Sequence, residues 1–154
     1  MKNPNHSNKI ELLGRNHLIA QLIKGGVHAA LPMWDQGVDL IAYYEGERGF
    51  VARPLQLKVS KATRWGVYKK YAETKDLLIV HIWHVEQSSD VEIYAMSYAE
   101  AEDLLNKSST YATCTTWTKD MGHYDTANIT PELRHNLQEF RMSEGKWQKR
   151  LECS

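Results

Sequence analysis

An α/β fold, a mixed β-sheet flanked by helices, is predicted for this chain of 154 residues. Three observations predict it. A helical apolar pattern opens the chain, several short strand-like runs follow with one hairpin among them, and two helix-start signals come after the strands.

Asn8 to Lys24 reads as the first helix. Asn8 is a capping residue, and Glu11, three residues later, can reach back to it. Leu12, Leu13, Leu18, Ile19, Leu22 and Ile23 make an apolar stripe wide enough to pack on a sheet, and Gly25-Gly26 ends the helix. Val27 to Leu31 is a short strand stopped by Pro32. Met33 to Gly37 is a turn, with Asp35 in a position where Asp commonly closes one.

Val38 to Tyr44 and Phe50 to Val59 are the next strands, joined by the Glu45–Gly49 hairpin loop, and Pro54 limits how the later one pairs. Ser60 to Lys75 is basic and aromatic and shows no decisive period. Leu77 to Val85 is an almost unbroken apolar run, expected of a central strand covered on both faces. Gln87 to Asp90 turns the chain into a strand over Val91 to Met96.

Ser97-x-x-Glu100 is a capping box that opens a helix running through Leu105. Lys107 to Asn128 is irregular and polar, with Trp117 and Tyr124 as anchors. Thr130-Pro131-Glu132 starts a helix with the stripe Leu133, Leu137 and Phe140. Gly145 breaks the chain before a last turn over Lys146 to Leu151, anchored by Trp147.

The bulk numbers bound the class. The length suits one domain with a real core. No apolar run reaches the roughly 18 to 20 residues needed to span a bilayer, and Met1 to Lys9 lacks the apolar segment of a secretory signal. The expectation is a cytoplasmic protein without a membrane partner. Cys114 and Cys153 are the only cysteines and lack zinc-type spacing, so both read as free thiols. His81 and His84, three apart in a strand, face opposite ways, which argues for core or edge histidines over a metal pair.

The net charge of zero hides an uneven distribution: six basic residues and no acid from Arg53 to Lys70, then seven acids and no Lys or Arg from Asp76 to Asn106. The basic segment could track a phosphate backbone. Lys61, Arg64, Lys69 and Lys70 are its candidate phosphate contacts. Trp65, with Tyr68 and Tyr71, is interleaved with them as base stacking requires, although packing under a loop explains the aromatics equally well.

Chemistry concentrates at Gly37-Val38-Asp39-Leu40-Ile41-Ala42 and Leu55-Gln56-Leu57-Lys58-Val59. Side chains alternate faces along a strand, so Gln56 and Lys58 share a face opposite Leu55, Leu57 and Val59. If the Glu45–Gly49 loop makes the two strands antiparallel, Asp39 can join that face. The structural reading is an Asp39–Lys58 ion pair with Gln56 hydrogen-bonded beside it, since such charges among Val, Leu and Ile must pair or bind an ion. The functional reading places Asp39, the Gln56 side-chain oxygen and the Leu57 carbonyl around Mg²⁺ or Mn²⁺, with Lys58 beside an attacking water.

The pattern of a first helix, Gly-x-Asp-Leu-Ile-Ala on a strand and Gln-Leu-Lys-Val on the next resembles the PD-(D/E)XK (restriction-endonuclease-like) nuclease superfamily. Its Gln-x-Lys form is similar to Holliday-junction-resolvase-like and homing-endonuclease-like members. The resemblance covers about residues 10 to 85. It implies a restriction-endonuclease-like sheet in one domain spanning 1–154, with a core over about 8–106 and a C-terminal helical extension over about 107–154. It also implies Mg²⁺-dependent hydrolysis of DNA phosphodiesters, with Asp39 and Gln56 on the metal and Lys58 assisting the water. Members often carry an acid on the first helix, commonly just after a glycine. Here Gly14 is followed by Arg15, so Glu11, the only acid on that helix, is the candidate to complete the catalytic site, with capping of Asn8 as its alternative role. A homodimer would let one site per chain cut two strands. The rival expectations are a nuclease fold that holds DNA or a partner protein without cutting, and a partner module whose acidic segment faces another protein.

Overall fold

In a computed structural model, residues 4–107, 115–118 and 122–153 are described. The chain folds as a mixed α/β structure around a five-stranded sheet. Helix α1 spans Pro4–Lys24 and is followed by β1 (His28–Ala30), β2 (Leu40–Gly46) and β3 (Gly49–Val59). Then come β4 (Trp65–Tyr68), a 3-10 turn at Lys69–Glu73, β5 (Leu78–Trp83), β6 (Glu92–Ser97) and α2 (Tyr98–Asn106). The chain closes with α3 (Thr115–Thr118), β7 (His123–Thr126), α4 (Pro131–Leu137) and α5 (Trp147–Glu152).

The sheet order is β1-β2-β3-β5-β6, with β3 and β5 parallel and the other neighbours antiparallel. β3 is the pivot. From Gly49 to Leu55 it pairs with β2, and from Leu55 to Val59 with β5. Pro54 falls just before the change of partner. Leu55 presents its carbonyl to β2, accepting from the Asp39 N–H at 2.9 Å. Backbone groups alternate sides along a strand, so the donorless Pro54 nitrogen faces the side where β5 has not yet begun, and no ladder bond is lost.

α1 starts a turn earlier than its sequence pattern indicates, with proline in its first turn, as the missing N–H there allows. Asn8 is therefore inside the helix and the expected Asn8–Glu11 capping box does not form. Its buried stripe is Ile10, Leu18 and Leu22, while Leu12 and Ile23 are exposed. Gly14 sits where α1 crosses β3, and a Cβ there would come within 2.4 Å of Val59. By contrast, the Ser97 capping box of α2 forms in full. In α4 the Thr130 hydroxyl accepts from the Leu133 N–H at 3.2 Å, with Pro131 in the first turn.

Every residue of β5 is buried, as its continuous apolar run requires. One sheet face, with Leu40, Leu55, Val80 and Ile82, packs on α1. The other, with Ile79, Trp83 and Met96, packs on α2 and on a second, two-stranded sheet of β4 and β7. The segment after 107 is not an appendage. Met142, Trp147 and Leu151 enter the first core and Trp117, Leu133, Leu137 and Phe140 the second. Arg53 ties this end down from within β3, donating at 2.6 Å to the carbonyls of both Asp76 and Cys153.

Candidate active site

The site lies where β3 runs past the start of β2. The last residue pair between them is Leu40 with Leu55, so continuing the register sets Asp39 opposite Gln56. The two side chains meet: Gln56 Nε2 donates to Asp39 Oδ2 at 2.5 Å, and the Leu57 N–H donates to the same oxygen at 2.7 Å. Leu57 has no β2 partner at this level. Its carbonyl faces the same open side as its N–H, because both backbone groups of a strand residue point one way.

Lys58 extends from the same face two residues on. The expected Asp39–Lys58 ion pair is absent: among the described residues no carboxylate lies within 4.0 Å of Lys58 Nζ. Its ammonium instead sits 4.3 Å from the Tyr68 ring centroid and 5.4 Å from that of Tyr71. Burial, with Lys70 nearby, holds it below the usual lysine range, and Asp125 and Asp39 offset only part of this.

The remaining candidates are placed unevenly. Glu11 is exposed on α1, the helix that packs the opposite face of the sheet, and does not join the site. Trp65 is 0% exposed, stacked against His81, so its expected base-stacking role is ruled out by burial. Tyr71 is buried as well. Lys61 pairs with Glu86 at 3.3 Å and Arg64 with Asp125 at 2.5 Å. Lys69 lies over Trp117, and Lys70 over Tyr68 and Tyr71. Arg53 is buried and leaves the basic surface altogether. Several acids of the acidic segment bind within the chain: Glu86 to Lys61, Glu92 to Arg134, Glu100 to Arg150 and Asp103 to Lys107. Cys153 is a free thiol, and Cys114 lies outside the described residues.

Two residues near Lys58 escape a reading by motif. His81 is opposite Lys58 in the parallel pair with β5 and is 1% exposed. Its Nε2 lies 3.0 Å from the Gly66 carbonyl, its Nδ1 has no partner, and burial pushes its pKa down to about 4. Asp125 arrives through β7, paired to β4 across the second sheet. Alternation within β5 could have put His81 on the Lys58 face once the parallel register was known. No local signal announces Asp125.

The donor set tests whether a hard divalent cation fits. Asp39 brings one carboxylate, Gln56 an amide oxygen and Leu57 a carbonyl, all hard oxygens and none of them a thiolate or imidazole. Among the described residues no group of three His, Cys, Asp or Glu converges. The set fits magnesium held by few protein ligands and completed by water and phosphate oxygens. It requires Gln56 to turn its amide by half a rotation, because Nε2 now faces Asp39. No helix among the described residues is long and apolar enough to cross a membrane. Comparison with known proteins found no matching family model, no matching curated protein and no matching solved structure.

Proposed function

We propose that this chain is a PD-(D/E)XK-type, Mg²⁺- or Mn²⁺-dependent endonuclease that hydrolyses phosphodiester bonds in DNA. The observation that carries the reading is the convergence of Asp39 and Gln56 at 2.5 Å on the open end of β2, beside a half-buried Lys58 with no carboxylate partner. A lone structural ion pair would use Lys58 up, and this arrangement leaves it available.

In this reading Asp39, the turned Gln56 amide and the Leu57 carbonyl would hold the cation. The bound ion supplies a more acidic water and neutralises charge on the phosphate. Lys58 orients that water and stabilises charge building on phosphorus, at low cost because its surroundings already exclude part of the solvent. The Leu57 N–H keeps the Asp39 carboxylate aimed while its other contacts change. With one negative charge in the set, cation uptake is weak until DNA arrives. A pair of subunits acting on a duplex or junction, in a cytoplasmic setting, belongs to the same reading.

Plasmid nicking with Mn²⁺ or Mg²⁺, run beside a thermal melt, tests it. Asp39→Asn and Lys58→Ala should each lower cleavage on the order of 100-fold or more while the melting transition stays cooperative. A wild-type chain that never nicks under either metal overturns the reading.

A second reading is favoured by the Gln56 nitrogen, rather than its oxygen, facing Asp39 and by Glu11 lying away from the site. The chain would then hold DNA or a partner protein without cutting it. Calorimetric titration of Mn²⁺ separates the two: uptake that depends on DNA supports the nuclease, and DNA binding indifferent to metal supports the binder.

A further inference from the structure

Between β3 and the second sheet lies a small cavity of about 150 Å³, whose polar and charged lining is Lys58, Ser60, Arg64, Tyr68, His81 and Asp125. Pockets for drug-sized ligands run to roughly 300–1,000 Å³. This one takes a small polyatomic group and excludes a nucleoside.

Its charge is unbalanced. Lys58 has no carboxylate within 4.0 Å among the described residues, and Lys70, outside the cavity wall, shares the Tyr68 and Tyr71 rings with it. Arg64 is held by Asp125 through Nε at 3.0 Å and Nη2 at 2.5 Å, which fixes the guanidinium on the rim and neutralises one of the cavity's two cations. The wall adds a buried ring, His81, whose Nδ1 has no partner, and the Ser60 hydroxyl. The two Gly66 backbone groups both lie near His81 Nε2, the N–H at 3.3 Å and the carbonyl at 3.0 Å. Either tautomer of the ring is therefore supported. A Lys58 ammonium without a carboxylate partner, an Arg64 guanidinium held on the rim and the Ser60 hydroxyl together describe an anion site.

We propose that this cavity binds a phosphate monoester, the terminal phosphate of a nucleic-acid strand, with Lys58, Arg64 and the Ser60 hydroxyl as its donors. A terminal phosphate presents three unesterified oxygens to three donors. An internal phosphodiester presents two and needs an exit for the strand on both sides, which a cavity of this size does not provide. Assigning the ester to a strand end rests on the nuclease reading, whereas the anion site itself does not.

The test titrates the full chain with inorganic phosphate by calorimetry in EDTA, so that no metal contributes. Saturable binding is expected, weakened at least tenfold in Arg64→Gln and in Lys58→Met, with the melt of each variant recorded. In a second arm, a short oligonucleotide with a terminal phosphate should bind at least fivefold more tightly than the same strand without it. A difference assigns the site to strand ends, and equal binding overturns that assignment. Wild-type chain that takes up no phosphate, or variants that bind it as wild type does, overturn the site. Nicking of a closed circular plasmid, which has no ends, reports on the cleavage reading independently.

Discussion

On one face of the five-stranded sheet, Leu40, Ala42, Leu55, Leu78, Val80 and Ile82 pack in the core with α1, and the charged side chain buried beside them, Arg53, is satisfied by the carbonyls of Asp76, Leu151 and Cys153. On the other face, Gln56, Lys58 and His81 stand among Ile79, Trp83 and Tyr94 beneath α2 and the β4–β7 sheet. The first face is held by apolar burial, which is non-directional and tolerant of small shifts. The second carries an ammonium without a carboxylate partner and a ring nitrogen without any partner. Such groups reduce stability unless something occupies the space beside them. The same sheet thus keeps its stability on one side and its chemistry on the other.

The largest effect should separate the faces directly. Leu18, fully buried between α1 and the sheet, should lose about 2–5 kcal/mol of unfolding free energy on Leu18→Ala, the usual range for a core truncation. Lys58→Met, on the other face, removes a half-buried unpaired charge and keeps an apolar stem of similar length. Its urea midpoint should be unchanged or raised. A Lys58→Met variant as unstable as Leu18→Ala would break the comparison, because Lys58 would then be part of the structural core.

His81 gives an effect of intermediate size that also belongs to the second face. Its pKa falls from 6.5 to about 4 on folding, through burial. Between these values the unfolded chain binds the extra proton, so stability is complete above pH 6.5 and is lost as pH falls toward 4. The full loss is roughly 3 kcal/mol, from about 1.36 kcal/mol per pKa unit. Urea unfolding at several pH values should show this slope, and His81→Leu should flatten it. An acid slope that survives in His81→Leu would locate the titrating group elsewhere.

The two faces also differ in how far the sequence foretells them. The α1 face follows from alternation in β2, β3 and β5 and from a helical stripe, because burial leaves a periodic trace. Asp39, Gln56 and Lys58 were legible for the same reason: a polar residue inside an apolar strand is conspicuous, and its parity sets its face. The meeting of Asp39 with Gln56 was legible too, but the surroundings of Lys58 were not. Lys58 lies beside Tyr68 and Asp125 instead of Asp39 because β4 and β7 pair across a long stretch of chain, which no local pattern encodes. For Trp65, base stacking and packing under a loop fit the sequence equally well, and the β4–β7 pairing decides for packing by burying it completely. The start of α1 was missed because Pro4 can open a helix in its first turn, while Asn8 also resembles a cap.

The smallest effect concerns the basic edge leading away from the second face. Lys61 and Glu86 are both exposed, and such a pair contributes about 0–1 kcal/mol. Lys61→Ala should leave the melting temperature nearly unchanged. In the nuclease reading Lys61 exchanges Glu86 for a phosphate when DNA arrives, and each neutralised phosphate adds about 0.9 to the dependence of log K on log salt. The variant should therefore bind DNA more weakly at low salt and show a slope smaller by about that amount. A slope equal to that of wild type would confine the DNA-facing charge to Lys58, Arg64, Lys69 and Lys70, around the cavity itself, and make Lys61 a surface ion pair and nothing more.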